Sequence, residues 1–108
     1  MRKFIIISCL FTCLYGKVRV VSSTSDIADI VKIIGGENVT VTSIARGNQD
    51  PHYVEILPSY MVKVRKADIY FMVGMELDLW AQQIINGSRN QKVMVVDCSV
   101  EINKMEVP

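Results

Sequence analysis

Residues 20–36 read Val20-Val21-Ser22-Ser23-Thr24-Ser25-Asp26-Ile27-Ala28-Asp29-Ile30-Val31-Lys32-Ile33-Ile34-Gly35-Gly36, and a change of periodicity inside this stretch decides the fold. Up to Ser22 the chain is a strand: Lys17 to Ser22 carries β-branched bulk at Val18, Val20 and Val21. From Thr24 to Ile34 the period becomes helical. Ile27, Ile30, Val31 and Ile34 fall at i, i+3, i+4 and i+7 and share one face. Thr24 or Ser25 can cap the start, and Asp26 and Asp29 suit the positive end of the helix dipole. Gly35-Gly36 supplies a left-handed stop. A strand running directly into a helix is the first half of a βαβ unit.

The same alternation continues outward. Val39 to Ile44 reads as a second strand. Pro58 opens a helix that Ser59 to Lys66 continues. Ile69 to Val73 is an apolar strand ending at Gly74, and Leu77 to Ile85 is a helix closed by Asn86-Gly87. Val93 to Val96 is a fourth strand, and the tail from Cys98 to Pro108 has no periodicity. The strands at 69–73 and 93–96 are nearly all apolar, as in a parallel sheet covered on both faces. The fold class is therefore α/β: a doubly wound, mainly parallel four-stranded sheet with right-handed crossovers and helices on both faces. No linker, internal repeat or low-complexity stretch divides it.

The first residues read as an export signal. Arg2 and Lys3 are followed by the apolar run Phe4 to Tyr15, too short to span a bilayer, and then by small Gly16. Cleavage is expected near Gly16, giving a signal peptide at 1–16 and an exported domain at 17–108. A buried first strand built on Ile5, Ile6 and Ile7 ranks lower. So does a lipid anchor: Ile6-Ile7-Ser8-Cys9 resembles a lipobox but leaves few apolar residues before the cysteine. Removing Arg2 and Lys3 from the 12 basic residues leaves 10 against 11 acidic ones, so nothing draws the domain to nucleic acid. Of the 3 cysteines only Cys98 would remain, which excludes an internal disulfide and a thiolate metal cluster. Asn38-Val39-Thr40 and Asn86-Gly87-Ser88 match the glycosylation sequon, a pattern common by chance.

Open α/β sheets bind ligands beyond the carboxyl ends of their strands. Asp50, His52 and Glu55 lie on one such loop, Gly74 and Glu76 on another, Asp97 and Cys98 on a third. His52 is the only histidine. Pro51 fixes its own φ and pushes Asp50 toward extended geometry, so the approach to His52 is stiff. An imidazole beside carboxylates is a start for a Zn²⁺ or Mn²⁺ site. Against this, a lone loop histidine is most often a solvated side chain, Asp50 can simply shape a turn, and Glu55 and Glu76 can be surface carboxylates. Trp80 and Tyr60 read as packing residues, Lys63, Arg65 and Lys66 as a solvated helix face, and Cys98 as a small buried hydrophobe. Gly35-Gly36 ends a helix instead of opening one, so it makes no phosphate loop. No serine sits in a nucleophile elbow. An Asp50–His52 acid–base pair in a small enzyme or regulatory domain remains an alternative, with no obvious nucleophile beside it.

The order of motifs is more specific than any one of them. VVSSTSDIADIVKIIGG, VTSIARGNQDPHYVEILPSY and KADIYFMVGMELDLW together resemble the N-terminal lobe of the metal-binding substrate-binding proteins of ABC importers, the zinc/manganese (cluster A-I, adhesin-like) family. The likeness covers roughly residues 18–108, and Asp50-Pro51-His52 with the Pro58-Ser59 helix start is its most specific part. Ser88-Arg89-Asn90 and Glu106-Val107-Pro108 add to it for one subgroup. The resemblance implies one of two α/β lobes joined by a long helix, with the metal between them. It implies His52 as a metal ligand, with Asp50, Glu55 and Glu76 as supporting or rim groups and Val20 to Thr24 and Gly74 to Glu76 as floor and rim. It also implies a membrane permease as partner, a monomer in the full-length form, and an extracytoplasmic, non-enzymatic role. The remaining ligands are absent from these 108 residues, so the expectation is a truncated lobe with an incomplete Zn²⁺ (or Mn²⁺) site, or a fragment with no function of its own.

Overall fold

The computed structural model describes residues 16–105. Residues 1–15 of the expected export signal, with Cys9 and Cys13, and the terminal Glu106-Val107-Pro108 lie outside the described residues. Four strands and three helices alternate: β1 (Val18–Ser22), α1 (Ser25–Gly35), β2 (Val39–Ser43), α2 (Pro58–Arg65), β3 (Ile69–Met72), α3 (Trp80–Ser88) and β4 (Met94–Asp97). A single 3₁₀ turn, Gly36–Asn38, joins α1 to β2. The sheet order is β2-β1-β3-β4 and every pairing is parallel. The expected fold class is therefore the one observed.

Alternation along the strands assigns the two faces. Val21 and Tyr70 join one cluster with Val64, Trp80, Ala81, Ile84 and Ile85, so α2 and α3 cover that face. Val18, Val20, Ile69 and Phe71 point the other way. There, with Val31, Ile34 and Val39, they line an open groove of about 290 Å³ beside α1. The helical stripe is as expected, but its covering is not: Ile30 is 56% exposed and Ile34 81%. β4 also departs from expectation. Met94 and Val95 are exposed, because β4 has only β3 beside it in the sheet. Its apolar run reads as a strand covered on both faces, yet the described residues leave it at an edge.

Local chemistry explains where the elements stop. Thr24 is the N-cap of α1 but makes no side-chain capping bond; the Ser22 hydroxyl donates to the Thr24 carbonyl instead (2.7 Å). Gly36 has φ 54° and ends α1, its N–H donating to the Lys32 carbonyl. Pro58 is the first residue of α2, where its missing N–H costs nothing. α3 differs from its predicted bounds at both ends. It starts at Trp80, and it runs through Asn86-Gly87 to Ser88 before Arg89 turns left-handed (φ 56°). Gly87 is there for approach and not for termination: a Cβ on it would lie 2.5 Å from Met61 Cε of α2.

Asn90 ties these two helices to the sheet. Its Nδ2 donates to the carbonyls of Val64 (2.9 Å), Arg65 (3.2 Å) and Ala67 (2.9 Å) at the end of α2. Its Oδ1 accepts from the Lys92 and Val93 N–H groups (both 3.1 Å), setting the entry to β4. At the other edge of β3, the Asp68 carboxylate accepts the Arg19 N–H (2.8 Å), fixing β3 against β1. Asn90→Ala should therefore lower the unfolding free energy by about 2 kcal/mol in urea titrations, while Gln91→Ala on the exposed side should change it by less than about 0.5. Equal effects of the two would contradict this role.

Candidate metal centre

β1 pairs with β2 on one side and β3 on the other, so the chain leaves β1 and β3 in opposite directions. Beyond the carboxyl ends of such strands lies the crevice where open α/β sheets bind ligands. At its base, Ser23 and Tyr70, both fully buried, share a 2.8 Å hydrogen bond between hydroxyls. Burial holds the Tyr70 phenol far above its ordinary range, with the Ser23 bond pulling the other way.

The loop after β2 is two successive turns. The Gln49 N–H donates to the Arg46 carbonyl (3.0 Å), and the Tyr53 N–H to the Asp50 carbonyl (3.1 Å). Pro51 thus occupies the first central position of the second turn, where its fixed φ is favoured. Val54 anchors the loop in the core at 7% exposed. The Asp50 side chain bends back: one oxygen, Oδ1, accepts both the His52 backbone N–H (3.0 Å) and the His52 ring nitrogen Nδ1 (2.9 Å). These two bonds, the backbone one first, hold the Asp50 carboxyl below its ordinary value of 3.8. Its share of the pairing is therefore complete at neutral pH and lost only as pH falls through that depressed value. A carboxylate can only accept, so Nδ1 carries a proton, and in the neutral ring Nε2 is the nitrogen with the lone pair. The ring itself is well exposed (56%).

The loop after β3 is held by Asp78, which sequence pattern alone gives no reason to single out. Its carboxylate, 1% exposed, accepts the N–H groups of Val73 (2.8 Å) and Gly74 (3.0 Å). Three consecutive residues, Gly74, Met75 and Glu76, have φ of 84°, 52° and 65°. For the two non-glycines this is a strained choice that the surrounding bonds must enforce. Asp97 faces the same turn: Ser99 donates to its Oδ1 through both Oγ (2.6 Å) and N–H (2.8 Å). The side-chain bond, then the backbone one, hold the Asp97 carboxyl below its usual range. Cys98, expected to be buried, is an exposed thiol at the end of the edge strand. Partial burial, then Asp97 and Asp78, push its pKa up.

Of the residues predicted for the site, Asp50 and His52 are brought together. Glu55 and Glu76 are exposed on separate loops and neither hydrogen-bonds to His52 among the described residues. No group of three or more His, Cys, Asp or Glu side chains placed to hold a metal occurs among the described residues. Trp80 is a packing residue, as expected, but also more: its Nε1–H donates to the Pro51 carbonyl at 2.6 Å. That bond spans 29 positions, and only the fold reveals it.

Comparison with known proteins gives a consistent result. The profile of a family described as "Zinc-uptake complex component A periplasmic" matches residues 20–107. The manganese ABC transporter substrate-binding lipoprotein PsaA of Streptococcus pneumoniae serotype 4 is 32% identical over 97 residues, covering 83% of this chain and 31% of its own length. The manganese ABC transporter substrate-binding lipoprotein scaA of Streptococcus gordonii is 35% identical over 80 residues, covering 70% and 26%. The solved structure of a Mn-bound periplasmic metal binding protein from Candidatus Liberibacter asiaticus aligns with a TM-score of 0.76 at 25% identity, covering 85% of this chain and 34% of that one. The chain thus spans a third or less of the curated relatives it matches.

The junction of the two outer loops is testable. A Cβ on Gly74 would lie 2.1 Å from Asp97 Oδ1 and 2.2 Å from Ser99 Oγ, at a positive φ. Gly74→Ala should cost at least about 2 kcal/mol in urea unfolding, whereas Gly47→Ala, whose Cβ meets only Ser25 Oγ at 3.4 Å, should cost under about 1. A neutral Gly74→Ala would show that the turn is not fixed by Asp97 and Ser99.

Proposed function

We propose, since this chain belongs to the zinc-uptake complex component A family, that it is an α/β lobe of an extracytoplasmic binding component that collects a divalent metal and passes it to a membrane permease. The family is one of transport components and not of enzymes. The observation that carries the metal reading is the Asp50–His52 pair. A metal-binding histidine has its other ring nitrogen held by a carboxylate or carbonyl, which fixes the tautomer and makes the free nitrogen more basic. Asp50 does this to Nδ1 and leaves Nε2 as donor.

The metal is cargo. Zn²⁺ and Mn²⁺ both accept imidazole, and the oxygen content of the remaining ligands decides between them. A tetrahedral zinc needs about four ligands, of which His52 supplies one. The others would come from a facing lobe, as the resemblance implies. The chain's role is then to hold its ligand in place while the metal enters and leaves, with only coordination bonds made and broken. The relatives named above are called lipoproteins, which lends the Ile6-Ile7-Ser8-Cys9 reading a support that its short apolar run does not.

Isothermal titration with Zn²⁺ tests the assignment. His52→Ala should weaken binding at least tenfold, and Asp50→Asn about tenfold through loss of the charged partner at Nδ1. Cys98→Ser should leave binding unchanged. Parent-like affinity in His52→Ala would sink the ligand assignment, and parent-like affinity in Asp50→Asn would sink the tautomer argument.

A further inference from the structure

The peptide group between Pro51 and His52 is held from both sides. Its carbonyl accepts the indole Nε1–H of Trp80 at 2.6 Å, and its N–H donates to Asp50 Oδ1 at 3.0 Å. The same Oδ1 holds the imidazole at Nδ1. We propose that Trp80 is a positioning residue for His52, setting the plane of this peptide and hence the direction in which Nε2 points. The inference deepens the metal reading and rests on it.

The geometry favours this over packing alone. The indole ring is in the core at 8% exposed, yet its polar edge is spent on the one carbonyl next to the ligand. The imidazole is exposed, and among the described residues its hydrogen bond is to Asp50, which also holds its own backbone N–H. An exposed ligand left free would lose rotamer and backbone freedom on each binding event; one held in advance loses less. Trp80 is also the first residue of α3, directly after the turn that Asp78 holds. One N–H thus joins the two loops on either side of the crevice, so a shift of the β3–α3 turn is passed to the metal ligand.

Trp80 is the only tryptophan, so its indole N–H gives a single NMR resonance. The ¹⁵N-labelled 108-residue chain is titrated with Zn²⁺ while the His52 ring nitrogens and the indole N–H are followed. Both should move with one midpoint, and His52→Ala should abolish the indole shift. Trp80→Phe keeps an aromatic ring and removes the donor. It should retain a dispersed amide spectrum and weaken Zn²⁺ binding at His52 about fivefold, the size of one lost hydrogen bond. A shifting His52 ring with a stationary indole overturns the proposal, as does parent-like affinity in a folded Trp80→Phe. Should that variant unfold, the indole response of the unmodified chain decides alone. An indole shift that survives His52→Ala, or a His52 ring that ignores Zn²⁺, instead removes the metal reading itself and the proposal with it.

Discussion

The pairing of β1 with β2 on one side and β3 on the other is the constraint from which the rest of this structure follows. It sends consecutive loops apart and opens a crevice at the carboxyl edge of the sheet. It also leaves the longest loop among the described residues, 44–57, beyond the carboxyl end of β2, where after Ile44 and Ala45, bonded to Ser22 and Ser23, the backbone runs free of the ladder. Such a loop can carry a ligand only if something holds it. Here Val54 in the core, Pro51 in its turn and the indole of Trp80 all do so.

The site is accordingly one of position more than of concentrated charge. Asp50 and His52 form a close pair, and beyond them the described residues gather no three-ligand cluster. Asp78, with both oxygens bonded to N–H groups, and the Asp97–Ser99 contact, made through Asp97 Oδ1, work at the neighbouring turn and stabilise backbone. This division suits a lobe that offers one ligand to a shared metal. Acidic side chains near the crevice mostly shape loops, and the imidazole nitrogen is the free donor.

The elements were legible because each rests on local pattern: the switch of period at Ser22–Thr24, the proline opening α2, the apolar core of β3. The Asp50-Pro51-His52 turn was legible for the same reason, since its bonds span two or three residues. What the sequence hid is long-range or geometric. Asn86-Gly87 reads as a helix stop, but the space taken by Met61 is what requires Gly87, and that follows only once α2 and α3 pack. β4 reads as a covered strand because its residues are apolar, though its place at the edge depends on what else joins the sheet. Glu55 shares the loop of His52 and Glu76 lies on the loop after β3, and neither hydrogen-bonds to His52 among the described residues. The Trp80–Pro51 bond has no sequence signature at all.

The central claim, that His52 offers Nε2 to a metal while Asp50 holds Nδ1, is met most directly by diffraction from a zinc-soaked crystal of the chain with data collected at the zinc absorption edge. An anomalous peak about 2.0–2.1 Å from His52 Nε2, with Asp50 still on Nδ1, is the result this account requires. A peak on Asp97 or Cys98 with none at His52, or a His52 ring turned so that Nδ1 faces the metal, would contradict it.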